Sequence, residues 1–217
     1  MYYVDNETID GIEFPYIPKT PKNMNLVCDM TSNIATRTFN MKKFGIVFAS
    51  AQKNIGPAGV TIVIVKKDII KERNDIPEVA NYRKLIEKNS LLNTGPTFPI
   101  FIVKEFTKFL VQTGGIKAWE NMNQEKAQML YEIIDESKGF YTNKVFAPHR
   151  SRMNVTFRCR KDPGMEFLFL REAENFCLVD LKGYSGIGIR ASIYNGVAFN
   201  AVKRLANFMI WFKKNYN

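Results

Sequence analysis

"FGIVFASAQKNIGPAGVTIVIVKKDII", residues 44–70, sets one lysine and two glycines between two runs of β-branched and apolar residues. Runs of this kind, bounded by glycine, proline and asparagine, read as strands. The turn between them holds Gly56, Pro57 and Gly59, and so reads as a rigid support from which Lys53 points toward a pocket. The pattern recurs upstream, where 2–4, 12–14 and 25–28 read as short strands beside 45–48 and 60–65. Their apolar character is continuous rather than alternating, which predicts a sheet covered on both faces.

Past residue 99 the period changes. Ile100, Val103, Phe106 and Leu110 fall at helical spacing over 99–112, and Gly114-Gly115 supplies C-cap glycines. A second helix is expected over 116–137, burying Trp119, Met122, Met129, Leu130, Ile133 and Ile134. Beyond it, 153–158 reads as a strand, 164–175 as a helix, and 176–181 and 188–194 as strands. A final amphipathic helix over 198–214 runs through Val202, Leu205, Met209 and Phe212. The fold class is therefore α/β, divided near Gly114-Gly115 into residues 1–113 and an α+β unit of residues 114–217.

Composition narrows the function classes. The 217 residues are 46% apolar, enough for a substantial core, yet no apolar run approaches the roughly 20 residues of a membrane helix, and Met1 opens no signal pattern. A cytoplasmic chain with no membrane partner is expected. Cys28, Cys159 and Cys177 are odd in number, widely spaced and set among apolar residues, as suits reduced core thiols, and no metal-ligand cluster appears. The one histidine, His149, reads as an exposed loop residue rather than a triad member. A net charge of +10 favours anionic partners, but the basic residues are dispersed and carry no recognition-module signature. A solvated basic surface accounts for that charge, and a site for small phosphorylated or carboxylated metabolites fits it equally well.

No phosphate-binding P-loop, zinc-protease helix, nucleophile elbow or dinucleotide turn is present, which leaves Lys53. Its amine forms a Schiff base with a carbonyl if burial or cationic neighbours lower its pKa from about 10.4; otherwise it is a surface lysine in a tight loop. Asp29 ends the strand "NLVCD", at the strand end where open α/β sheets bind ligands, although a turn or cap role would place it there too. Pyridoxal phosphate chemistry uses such a pair, a lysine for the Schiff base and an aspartate for the pyridine nitrogen.

The stretches "CDMTSNIATRTFNMKKFGIVFASAQKNIGPAG", "DNETIDGIEF", "LLNTGPTFPIFIV", "HRSRMNVTFR" and "IRASIYN" together resemble phosphoserine aminotransferase, a pyridoxal-phosphate enzyme family of serine biosynthesis. The resemblance runs in order from Tyr3 to the last helix. It implies a partial fold-type I large domain over 1–113 and a C-terminal small domain over 114–217. It also implies amino transfer between glutamate and 3-phosphohydroxypyruvate. Lys53 matches the Schiff-base lysine, Asp29 the partner of the pyridine nitrogen, and Thr8 the residue that hydrogen-bonds the cofactor's phenolic oxygen. Gln52 matches a contact to the cofactor phosphate, and Asn93 and Thr94 match a pair reaching that phosphate from a neighbouring subunit, so a homodimer with shared sites is implied. Arg190 matches the arginine that grips the substrate α-carboxylate, a task suited to a planar guanidinium, whereas position alone would also allow a strand-end surface arginine.

The sequence departs from the family in three places. The loop Gly183-Tyr184-Ser185-Gly186-Ile187-Gly188-Ile189 is one residue shorter than the family's and lacks its His-Arg pair, which helps hold the substrate's anionic end. Gly95 replaces the first of two prolines. Met1 corresponds to a point well inside the family's large domain, so the phosphate-cradling turn and the ring-stacking aromatic residue lie outside this sequence. A non-catalytic remnant that pairs with another chain is the alternative expectation.

Overall fold

Ile46–Ser50 alternates half-buried and buried side chains, with Val47 and Ala49 turned inward. In the computed structural model, which describes residues 1–217 except Ser185 and Ile187, this strand, β5, organises the first half of the chain. It pairs in parallel with β4 (Val27–Asp29), which pairs in parallel with β1 (Tyr2–Val4); on its other side it pairs antiparallel with β6 (Thr61–Val65), giving the order β1-β4-β5-β6. Between β1 and β4 a two-stranded hairpin forms from β2 (Asn6–Glu7) and β3 (Ile12–Glu13). Then come α1 (Tyr82–Glu87), α2 (Thr97–Gln112) and α3 (Gly115–Asp135).

The register fixes what each face of the sheet carries. Tyr3, Cys28 and Val47 align in one row and enter a core with Leu26, Met30, Phe44 and Ile55. Tyr2 and Val4, on the alternate face, are 58% and 38% exposed, and Ile46 and Phe48 on the same face are only half-buried. The expectation of a sheet covered on both faces is therefore corrected: the buried core lies on the Val47 side, while on the other face Ile46 and Val65 border a cavity with Ile69, Ile70, Ile76 and Tyr82.

The second half builds an antiparallel sheet, β7-β8-β9, from β7 (Tyr141–Thr142), β8 (Asn154–Cys159) and β9 (Ile189–Ser192), packed by α3, α4 (Pro163–Asn175) and α5 (Phe199–Tyr216). Phe169 sits at its centre, with ring centroids 4.9 Å from Phe208, 5.0 Å from Phe212 and 5.6 Å from Phe157. Edge-to-face pairs of this kind contribute about 0.5–1.5 kcal/mol each beyond their buried area. Val202, Leu205, Met209 and Phe212 are all buried on α5, as helical periodicity predicts.

Four other expectations are corrected. Residues 176–181 form no strand: Cys177 and Asp180 adopt left-handed φ of 55° and 58°, and Leu178 N–H donates back to Ala173 O at 3.0 Å, so the segment unwinds the end of α4. Cys177 is consequently exposed, unlike the buried Cys28 and Cys159. On α3, Met122, Met129 and Ile133 are only half-buried, while Asn123 and Lys126 are fully buried. His149 is half-buried in a short 3-10 turn, its ring 6.4 Å from Tyr16.

The β2–β3 hairpin joins the two sheets. Arg37 Nη2 lies 2.6 Å from Asp5 Oδ2 and Arg37 Nε 3.4 Å from Glu13 Oε1, while Arg152 Nη2 lies 2.7 Å from that same Glu13 oxygen. Gly11, with φ of 76°, comes so close to β8 that a Cβ there would lie 2.4 Å from Asn154 O. Only glycine allows this backbone approach.

Candidate active site

Parallel pairing brings the C-terminal ends of β4 and β5 side by side, and each end carries a candidate residue. Asp29 closes β4, its Oδ1 accepting Thr31 N–H at 2.8 Å, and Thr31 Oγ1 accepts Ser50 N–H at the end of β5 at 3.3 Å. Asp29 thus does serve as a turn residue through one oxygen. Its Oδ2 accepts no hydrogen bond among the described residues.

Past Ser50 the chain turns back on itself. Ile55 and Gly56 N–H both donate to Ala51 O, at 3.1 and 3.0 Å, with Ala51 and Ile55 buried beneath. A Cβ on Gly56 would meet Val103 Cγ2 at 2.7 Å, so α2 packs directly against this turn. Between these anchors Lys53 is half-buried, and its Nζ donates to Thr8 Oγ1 at 2.8 Å. Thr8 sits on the hairpin turn, and its carbonyl accepts from Arg190 Nη1 at 3.4 Å. The structure therefore brings Lys53, Thr8 and Arg190 together, with Asp29 on the neighbouring strand end.

The remaining candidates lie apart. Gln52 is exposed beside Lys53. Asn93 and Thr94 are exposed between α1 and α2, and the Asn93 amide donates only to Thr94 O, at 3.2 Å.

Sequence reasoning missed the polar network beneath Lys53. Asn195 N–H donates to Asn54 Oδ1 at 3.2 Å and its amide to Ala35 O at 3.0 Å; Asn123 Nδ2 donates to Asn195 Oδ1 at 2.8 Å. Beside them Lys126 Nζ donates to the carbonyls of Ile193, Tyr194 and Val197 at 2.9–3.1 Å, and its burial pulls its pKa down to about 8. The available signal was two polar residues, at 123 and 126, one helical turn apart on an otherwise apolar stripe. Among the described residues no cluster of metal-ligating side chains occurs, and no helix is long and apolar enough to cross a membrane.

This arrangement, with a lysine and an aspartate at adjacent parallel strand ends and an arginine reaching in from a second sheet, accompanies a match over residues 1–205 to the family described as Aminotransferase class-V. The chain belongs to that family, and its fold is a partial fold-type I one. Within the family it is similar to phosphoserine aminotransferases. It is 43% identical to that of Chromobacterium violaceum over 218 residues and 42% identical to that of Drosophila melanogaster over 220. These alignments cover 100% and 99% of this chain and 60% of each relative, so the chain spans about three-fifths of their length. The phosphoserine aminotransferase of Bacillus circulans subsp. alkalophilus superposes with a TM-score of 0.95 at 39% identity, covering 100% of this chain and 60% of that one. A pyridoxal-phosphate-bound phosphoserine aminotransferase from Trichomonas vaginalis superposes with a TM-score of 0.89 at 37% identity, covering 96% and 59%.

Proposed function

We propose that this chain carries the lysine-bearing part of a phosphoserine aminotransferase that transfers an amino group from glutamate to 3-phosphohydroxypyruvate in serine biosynthesis. The observation that carries this reading is the contact from Lys53 Nζ to Thr8 Oγ1, with Arg190 on the same threonine's carbonyl. The donor set suits pyridoxal phosphate: a primary amine held by a hydroxyl, a carboxylate with an unused oxygen, and a guanidinium within reach of both hairpin and strand.

In this reading Lys53 is the residue to which the cofactor's aldehyde carbon attaches, and Thr8 Oγ1 orients the phenolic oxygen. Asp29 holds a proton at the pyridine nitrogen. Gln52 contacts the phosphate, with Asn93 and Thr94 of a second copy completing that contact in a homodimer. Bound pyridoxal phosphate supplies the electron sink that stabilises negative charge on the substrate Cα. With the cofactor bound and its attachment displaced by the substrate amine, Lys53 Nζ would be the base placed to carry the proton between the substrate Cα and the cofactor's C4′ carbon. Arg190 grips the α-carboxylate with paired N–H donors and so fixes which Cα bond faces the lysine. Glutamate leaves as 2-oxoglutarate, and 3-phosphohydroxypyruvate leaves as phosphoserine. A soluble cytoplasmic setting accords with this chemistry.

The test is formation of 2-oxoglutarate from glutamate and 3-phosphohydroxypyruvate with the cofactor-loaded chain. Turnover that depends on Lys53 supports the reading, and turnover that survives Lys53→Ala contradicts it. One observation favours a second reading, a non-catalytic partner for another chain: the edge strand β1 presents Tyr2 and Val4 on an open sheet face. That reading predicts no turnover from the chain alone.

A further inference from the structure

The turn that carries Lys53 is anchored one residue further on, at Asn54, which is only 3% exposed. Its side chain leaves the turn for the second half of the chain. Asn54 Oδ1 accepts Asn195 N–H at 3.2 Å, and the Asn195 amide returns a longer donation to Asn54 O at 3.4 Å. Asn195 follows Arg190 in the segment that continues β9. Across 141 positions of sequence, this clasp ties the turn that bears the lysine to the chain that bears the arginine.

The Asn195 side is braced from α3. Asn123 Nδ2 donates to Asn195 Oδ1, and Lys126 Nζ donates to the carbonyls of Ile193, Tyr194 and Val197, on both sides of Asn195. Lys126 is fully buried and has no carboxylate partner among the described residues, so carbonyl dipoles alone hold its ammonium, and it fixes where they point. The clasp is costly for what it contributes to stability. Asn54 Nδ2 and Asn123 Oδ1 are buried without a hydrogen-bond partner among the described residues. Orphaned polar atoms destabilise a core, and apolar side chains of similar size would fill these positions at less cost. What directional contacts can add instead is a single register between the elements they join.

We propose that Asn54 is a positioning residue for Lys53: its clasp to Asn195, braced by Lys126, holds the lysine's turn in one register against the Arg190-bearing segment and so keeps Nζ at Thr8 Oγ1. Neither asparagine hydrogen-bonds the amine among the described residues; both act through the backbone of the turn. The catalytic meaning of that register rests on the aminotransferase reading, whereas the register itself does not.

The experiment uses the full chain without cofactor and reads the rate at which acetic anhydride labels Lys53 near neutral pH, by peptide mass spectrometry, relative to the exposed Lys203. Asn54→Leu is close in size and trades one orphaned buried donor, Asn54 Nδ2, for another, Asn195 N–H, so its melting temperature should stay close to the parent's. Lys53 labelling should nevertheless rise about two- to tenfold, the factor that the net worth of one hydrogen bond allows. Lys126→Met removes the brace without touching the turn; it should raise labelling in the same direction, and it carries the test if Asn54→Leu fails to fold. Phe169→Leu, in the core of the second sheet, controls for general loosening and should label at the parent's rate. In a Thr8→Val background the effect of Asn54→Leu should largely vanish, because both changes release the same contact, whereas independent effects would multiply. Parent-rate labelling in Asn54→Leu or Lys126→Met, an equal rise in Phe169→Leu, or multiplying effects in the double variant would overturn the proposal. Failure of the aminotransferase reading shows elsewhere, as cofactor attached at a lysine other than Lys53, which a cofactor-free measurement does not touch.

Discussion

Lys53 Nζ donates to Thr8 Oγ1 at 2.8 Å across 45 positions of sequence, from the turn after β5 to the hairpin that leans on the second sheet. The lysine's direction is therefore set by how the two halves of the chain pack. Replacing Thr8 with valine keeps the shape and removes the acceptor. We expect Lys53 to react several-fold faster with an amine-acylating reagent in Thr8→Val, read by peptide mass spectrometry, because the amine is no longer held.

The hairpin in turn depends on Glu13, which is 3% exposed and bound to both Arg37 and Arg152. Glu13→Ala leaves the mostly buried Arg152 guanidinium without its close carboxylate, while Arg37 keeps Asp5 at 2.6 Å, and removing one partner of a buried ion network typically costs about 3–5 kcal/mol. Chemical denaturation should show a loss of that order, with partial recovery in Glu13→Gln, which still accepts hydrogen bonds.

At Gly11 the constraint is steric. A Cβ there would sit 2.4 Å from Asn154 O on a backbone with φ of 76°, so Gly11→Ala meets both a clash and a left-handed conformation. Strain at such positions costs about 1–3 kcal/mol before the clash is counted. We expect a lower melting temperature together with faster Lys53 labelling, since Thr8 moves with the hairpin; labelling at the parent's rate would mean that the hairpin does not set the lysine.

Lys126 gives a pH signature. Burial lowers its folded pKa from 10.5 to about 8, so between those values the unfolded chain binds more protons than the folded one and stability rises with pH. At about 1.4 kcal/mol per unit the gain is at most roughly 3 kcal/mol. Lys126→Met should flatten the stability profile between pH 8 and about 10 in denaturant titrations. An unchanged slope would show that other groups produce it.

Much of this was legible in the sequence because it is local. The strands flanking Lys53, the amphipathic stripe of α5 and the placing of Asp29 at a strand end follow from short-range pattern. What was hidden depends on tertiary contact. The six residues of α1 are too few for a period to emerge and rely on Asn81, whose side chain accepts from Arg83 and Lys84 N–H. The strand expected over 176–181 has the right composition, yet the termination of α4 sets left-handed residues in it. Lys126 looks like a solvated helix charge until three carbonyls from the far end of β9 close over it. Of the loop over 183–189, Ser185 and Ile187 lie outside the described residues.

The central claim is that Lys53 is the attachment point for pyridoxal phosphate. It is tested most directly by adding the cofactor, reducing with borohydride and mapping the labelled peptide. The account predicts stoichiometric label on the peptide containing Lys53, and none in Lys53→Ala. Label spread over surface lysines, or carried by another single lysine such as Lys126, would contradict it.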